Sequence, residues 1–351
     1  MKRIIPLFIL FIISCTSEEY TSAKLYLQQK DYEKAEEFLV KAMSVEPENP
    51  EIPYQLGHFI YGRSGRWKEM NEAFHKALSI NPQGKILDGR TVAEFVDMSR
   101  YQFWTDAYNI GVQEYNDAKS LESEKKNNGL RKAIDAFSSA VDIKPDEGLT
   151  YTMLATCYYD LGETEKSFEL IAQAVKISPE DYNANVAAGQ ILIKNGKPNE
   201  ALPYLEKAVE LDPQNNSAIR TLAQTYYDIG NTEASIATYE KAIKATSDNK
   251  TKADLHFNLG ILYNQVKEFD LAEDHFTTAL DLNPNDVEAI LGMAQTFESN
   301  EKWRKAEKFY KELIYLEPEN ASHYRGIARV LLQQGKQDQA QRYFTKSKKY
   351  E

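Results

Sequence analysis

Seven prolines set the frame for this chain. They stand at Pro47, Pro82, Pro145, Pro179, Pro213, Pro284 and Pro318, with gaps of 35, 63, 34, 34, 71 and 34 residues. The longest gap is 34 + 37, with Ser247 where a further proline would fall. A fixed period of this length marks a repeat array, in which each small unit buries its apolar face only against its neighbours. The 351 residues therefore count repeats, not the two or three domains that length alone suggests.

Within each period the residues twelve, eight and five positions before the proline are small, large and small. Examples are Ala35, Leu39 and Ala42; Ala133, Phe137 and Ala140; Ala201, Leu205 and Ala208; and Ala272, Phe276 and Ala279. In Ala306, Tyr310 and Leu313 the last small residue is replaced by leucine. Steps of four and three put all three on one helical face, with small side chains where a neighbouring helix must come close. A second helical pattern lies upstream, as in Tyr151, Leu154, Ala155 and Tyr158, or His256, Leu259, Gly260 and Tyr263. Between the two helices stand Gly65, Gly162, Gly196, Gly230 and Gly335, where glycine supplies the left-handed residue that closes a helix.

These residues resemble the tetratricopeptide repeat, a 34-residue helix–turn–helix with an aromatic, Leu-Gly, Tyr, Ala, Phe, Ala and Pro at fixed places. The resemblance implies an all-α fold: a right-handed superhelical solenoid of about nine repeats. The units run 16–49, 51–84, 105–147, 148–181, 182–215, 216–252, 253–286, 287–320 and 321–351. Repeats one and two thus fill 16–84, repeats three to nine fill 105–351, and an extra aromatic-rich segment occupies 85–104. Met70 replaces the usual small residue of unit two, and Leu121 to Gly129 is an insertion expected as a solvated loop. Pro198 suits a helix start, while Pro203, a turn later, is a kink position.

The same resemblance implies a concave groove lined by the first helix of each unit, which takes an extended peptide or a partner helix. Carried onto this chain, its positions include Tyr159, Gln190, Arg220, Gln224, Tyr227, Asn264, Gln295, Arg325 and Arg329. Tyr and Arg are frequent binding hot spots. Arg325 and Arg329, one turn apart, are expected to hold a carboxylate or phosphate jointly. Tyr159 and Tyr227 are expected exposed, with Tyr158 and Tyr226 in the core. The Lys–Asn–Asn–Lys–Arg clamp of chaperone-binding members is not present at the matching positions. Phe95, Tyr101, Phe103 and Trp104 of the extra segment have two readings: docking of a partner or second copy, or packing of an additional helix.

Residues 1–14 read as a secretory leader, with Lys2 and Arg3 ahead of an apolar run from Ile4 to Ile13 that is too short to span a membrane. Ile12-Ile13-Ser14-Cys15 resembles a bacterial lipobox, which implies acylation of Cys15, with 15–20 as anchor and short linker. Two or three acyl chains hold a protein on a membrane where one does not. The implied location is the bacterial envelope, with the outer membrane favoured and the surface left open by Ser17-Glu18-Glu19, which resembles an acidic surface-export tag.

Composition closes off other classes. With 42 Lys and Arg against 53 Asp and Glu, the net charge is −11, or −13 once Lys2 and Arg3 are cleaved away. Such a chain lacks the basic surface that nucleic acid demands. The five histidines have no metal-ligand spacing; His256 and His275 fall on the two helices of one unit, where they can approach each other, with His256 expected in the core. Cys157 lies at a small-residue interior position. No cofactor, metal or catalytic residue is expected, and the chain reads as a non-enzymatic protein-interaction scaffold. The alternative is an accessory or activating subunit of an envelope polysaccharide, peptidoglycan or export machine. Protein or peptide partners and a lipid-held membrane contact are expected, and self-association is left open.

Overall fold

In a computed structural model, which describes residues 16–86 and 89–351, each period folds as a hairpin of two helices. Cys15 and the leader lie outside the described residues. The described chain forms two compact units, divided between Ile177 and Ser178. The first holds α1 (Glu18–Gln29) with α2 (Tyr32–Val45), and α3 (Glu51–Gln55), continued by a π-helical stretch Leu56–Gly62, with α4 (Trp67–Ile80). It goes on with α5 (Val92–Lys119) and α6 (Ser123–Ile143), then α7 (Gly148–Asp160) and α8 (Thr164–Ile177). The second unit pairs α9 (Tyr182–Lys194) with α10 (Pro198–Leu211), α11 (Asn216–Asp228) with α12 (Thr232–Ala245), and α13 (Asn249–Gln265) with α14 (Phe269–Leu282). It ends in α15 (Val287–Ser299) with α16 (Trp303–Leu316) and α17 (Ala321–Gln333) with α18 (Gln337–Ser347). The expected all-α repeat fold is the one found; among the described residues no strand forms beyond one bridge between Lys85 and Thr91.

Local chemistry explains where each helix starts and stops. First helices are opened by Asp or Asn caps: Asp181, Asn215, Asp248, Asp286 and Asn320 each accept from a backbone N–H two or three residues on, which satisfies donors the first turn leaves unpaired. The five predicted glycines all take positive φ, from 70° to 84°. In three further hairpins the same place is held by Lys30, Lys267 and Glu301, at φ 60°, 65° and 54°. Helix α10 runs on through Pro203, whose missing N–H removes one intrahelical bond without ending the helix.

The small-large-small stripe is the core. Ala35, Leu39, Ala42, Ala272, Phe276 and Ala279 are all buried. Large residues of one hairpin reach the first helix of the next: a Cβ added to Gly292 would sit 2.5 Å from the Phe276 ring, and one at Gly326 would sit 2.3 Å from the Tyr310 ring. Each such ring contributes about 1.5–3 kcal/mol by leaving water. Where serine replaces the first alanine, its hydroxyl donates across the hairpin: Ser167 to the Ala155 carbonyl and Ser235 to that of Ala223, each at 2.7 Å.

The first unit departs from the period in two expected places, with different outcomes from those expected. The extra segment is not separate from the third repeat: α5 runs through the 104/105 boundary as one 28-residue helix. The insertion Leu121 to Gly129 is not a solvated loop but chiefly the opening of the 21-residue α6. A longer first helix exposes an apolar flank that only a longer partner covers, so α6 lengthens with it. Ala118 and Leu130, both fully buried, mark that join.

Candidate binding groove

The predicted groove positions fall into three groups in the structure. One group gathers in the second unit, between α11 and α13. There Arg220, Gln224, Phe257, Ile261 and Gln265 line a cleft of about 260 Å³ whose floor includes Tyr239 and Leu262. Arg220 and Gln224 are exposed, on the same helix face one turn apart. The Gln224 amide donates to Asp228 at 2.7 Å. Arg220 makes no hydrogen bond or ion pair among the described residues; its field only opposes the burial that pushes the Tyr239 hydroxyl up to about 12. Gln190 and Gln295 are exposed on α9 and α15. Asn264 is half-buried, and its side-chain oxygen has no hydrogen-bond partner.

The second group is already engaged. Arg329 makes a two-pronged pair with Glu298 at 3.0 and 3.2 Å, and Glu298 also accepts from the Tyr310 hydroxyl at 2.7 Å. Arg325 pairs with Glu351 at 2.6 Å and donates to Ser322 at 3.2 Å. The two arginines therefore do not converge on one anion. Each is neutralised by its own carboxylate, and the guanidinium fork suits that bidentate pairing.

The third group is the tyrosine pairs. Tyr227 is half-buried, packed against the second unit's core, and Tyr226 is half-buried too. The Tyr226 hydroxyl donates to Glu206, and burial with that carboxylate pushes it up to about 12. The expected split into exposed Tyr227 and core Tyr226 is not observed, because both rings straddle the helix edge. Tyr158 and Tyr159 are likewise both half-buried.

The proposed docking aromatics turn inward. Trp104 is buried, and its indole N–H donates to Thr150 at 2.8 Å. Phe95 packs on Tyr54, and Phe103 packs on Trp67 and His58. Only Tyr101 of the four stands in solvent, at 61%. The aromatic density of this segment is core for a long helix laid over α3 and α4.

Two further features stand apart, an approach of two histidines that was expected and a groove that was not. His256 is not core but half-buried, with its Nδ1 2.9 Å from that of His275. Burial lowers both imidazoles, their proximity lowers His256 further, and Asp274 and Glu240 oppose the shift at His275. At the α17–α18 hairpin a groove of about 660 Å³ is lined by Arg325, Ala328, Arg329, Leu332, Gln341 and Phe344, among others. The signal for it was available: Phe344 follows Ala340 by four, the place of the large core residue in every other unit. Cys157 is buried, and burial pushes its thiol up to about 12, which fits the expected small hydrophobe. No cluster of three metal-ligating side chains occurs among the described residues, nor does any described helix have the length and apolarity to cross a membrane.

Family profiles described as tetratricopeptide repeat match residues 20–49, 150–181, 192–256, 253–286 and 291–347. No curated protein matches the chain. Among solved structures, a tetratricopeptide repeat protein from Parabacteroides merdae is 15% identical, with a TM-score of 0.48 over 70% of this chain and 93% of that one. PilF of Pseudomonas aeruginosa is 22% identical, with a TM-score of 0.43 over 56% and 88%. MamA of Desulfovibrio magneticus is 16% identical, with a TM-score of 0.41 over 48% and 94%.

Proposed function

Since the chain belongs to the tetratricopeptide-repeat family, we propose that it is a non-enzymatic scaffold whose cleft between α11 and α13 holds a segment of a partner protein. The observation that carries this reading is Arg220. It is an exposed guanidinium with no carboxylate partner among the described residues, at the rim of a cleft lined by Phe257, Ile261 and Leu262. An unpaired cation beside a small apolar floor suits a peptide that offers a carboxylate next to an aliphatic or aromatic side chain. Gln224 and Gln265 are placed to pair with that peptide's backbone. Arg325 and Arg329 take no part, because their charge is spent within the fold.

The scaffold acts at the bacterial envelope, held by acyl chains on Cys15. The lipobox-like run ending there supports this, as does the two-residue distance from Cys15 to the cap of α1 at Ser17. Mass spectrometry of the mature N-terminus checks the anchor: an acylated Cys15 is expected, and an unmodified chain cut elsewhere would remove it. For the cleft, a photo-cross-linker at Gln224 identifies the bound protein in the native host. Arg220→Ala with Ile261→Ala then weakens the purified partner's binding by ~10-fold or more, with helicity unchanged. Binding indifferent to both substitutions would sink the cleft assignment.

A further inference from the structure

The α17–α18 hairpin presents a seat that is filled in the α13–α14 and α15–α16 hairpins of the same unit. In the eight preceding hairpins the large residue of the second helix, from Leu39 to Tyr310, is no more than 5% exposed. In the second unit the covering helix is visible: Phe276 lies against Gly292 of α15, and Tyr310 lies against Gly326 of α17. Phe344 is the same residue of its hairpin and is 43% exposed, with Leu332 beside it at 55%. Ala328 and Ala340 form the floor between them. Among the described residues no helix is laid over this groove, where in the two preceding hairpins the next first helix lies.

We propose that the groove receives α1 of a second copy of this chain, so that copies associate head to tail. The residue of a first helix that meets the preceding large side chain lies eighteen positions ahead of its own: Gly292 before Tyr310, Gly326 before Phe344. In the first hairpin that rule selects Thr21, eighteen before Leu39. Threonine is already used at this place, as Thr221 before Tyr239. Glu18, Thr21, Leu25 and Gln28 share one face of α1 by helical spacing, and all four are exposed, Leu25 at 51%. An apolar residue in the middle of that face is the counterpart of Leu332 and Phe344.

Charge selects the same pairing. Residues 321–351 carry seven Lys and Arg against two Asp and Glu, a surplus of +5 that falls to +3 once Arg329 and Lys336 are set against Glu298 and Glu307, in a chain whose net charge is −11. Residues 16–49 carry four against eight, or −4, which becomes −3 once Glu36 is set against Arg66. Opposite ends of one chain therefore attract, while like ends repel, which favours a heterologous contact over a two-fold one.

The test is sedimentation velocity on residues 15–351 with Cys15→Ser, which removes acylation and keeps every described helix. The weight-average sedimentation coefficient is expected to rise with concentration across the micromolar range. Raising salt from about 0.05 to about 0.5 M weakens association several-fold, since it screens the opposed ends. Leu25→Glu and Phe344→Glu each abolish self-association; Leu332→Glu repeats the second result at a more exposed position, and circular dichroism checks that helices persist. An equimolar mixture of the Leu25→Glu and Phe344→Glu chains forms a 1:1 dimer and nothing larger, because one intact α1 meets one intact groove. A chain that stays monomeric at several hundred micromolar would overturn the proposal. So would self-association that survives Leu25→Glu, which would point to a two-fold contact, or a mixture that fails to dimerise.

Discussion

The third hairpin and the seventh solve one packing problem in two ways. In the α13–α14 hairpin and its successor, period and structure agree: Phe276 is the large residue of the stripe, and it fits between Gly260 and Gly292. Around α5 the period breaks, yet the same device appears with other parts. Gly62, at the end of the π-helical stretch, receives Phe103, and a Cβ there would lie 2.5 Å from the ring. Phe103 belongs to the segment outside the repeat. The comparison teaches that aromatic residues which fall off the period are not thereby free for function. They fill the core where a longer helix leaves more of it to fill.

The sharpest way to break this comparison is at Trp104. If the segment is core, Trp104→Ala removes a buried indole and leaves the Thr150 hydroxyl without its donor. The expected loss is about 3–5 kcal/mol, read by chemical denaturation. Tyr101→Ala, three residues away in solvent, is expected to change stability by less than about 0.5 kcal/mol. Because repeats contact mainly their neighbours, hydrogen exchange should quicken in α3 to α7 for the tryptophan variant. Equal losses at the two positions would restore the docking reading.

Next in size is the pair of glycines on either side of Phe276. Alanine gains about 1 kcal/mol over glycine in a helix. At Gly260 the new methyl would meet the ring at 3.0 Å, and at Gly292 at 2.5 Å. Gly260→Ala is therefore expected to be close to neutral, since a few tenths of an ångström of ring movement relieves it. Gly292→Ala is expected to cost about 1–3 kcal/mol, because the ring is already held from the other side. Thermal unfolding of the two variants checks the order; a larger cost at Gly260 would mean that the successor helix, not the ring, gives way.

What the sequence disclosed follows from these cases. The hairpins, their turns and the buried stripe were legible because each is enforced by local chemistry repeated in phase: a left-handed glycine, an Asx cap, a small residue at close approach. Groove positions were legible as places on a helix, and Arg220 and Gln224 do meet across the cleft from Phe257 and Ile261. The state of each side chain was not. The separate partners of Arg325 and Arg329 were not legible, because Glu351 and Glu298 lie 26 and 31 residues away in sequence and no repeat rule records such pairs. The aromatic segment left two readings open for a related reason, and the packed helix is the one found. Its period is that of one long helix, and the length of α5 depends on α6 rising to cover it.

The turns sharpen the comparison at a smaller scale. Lys267 and Glu301 sit at positive φ in the second unit, where Gly230 and Gly335 sit in equivalent turns. A left-handed residue with a Cβ costs about 1 kcal/mol. Lys267→Gly and Glu301→Gly should each stabilise by about 0.5–1 kcal/mol, less the entropy glycine adds to the unfolded chain. Gly230→Ala should destabilise by a similar amount. A Lys267→Gly variant that loses stability would show that the lysine stem, not the backbone, holds that turn.

The smallest expected effect is also the most local, and it distinguishes the two units by pH. Burial lowers His58 in the first unit, with Arg63 adding to the shift. In the second unit burial lowers His256 and His275, with Lys252 acting on His256 in the same sense. Their facing Nδ1 atoms, 2.9 Å apart, admit one proton between them, so protonation of both sets two N–H groups against each other. For a base whose folded pKa is lowered, the unfolded chain takes up the proton first. Stability is then whole above the ordinary histidine value near 6.5 and falls as pH drops below it toward the folded values. A fall of roughly 1–3 °C in midpoint between about pH 7.5 and 5.5 is expected. His275→Gln should flatten the pH dependence of hydrogen exchange in α13 and α14 while leaving that of α3 and α4 intact, and His58→Gln should do the reverse. If His275→Gln leaves the α13–α14 profile unchanged, the facing imidazoles do not govern it, and the acid response of that hairpin belongs to its carboxylates.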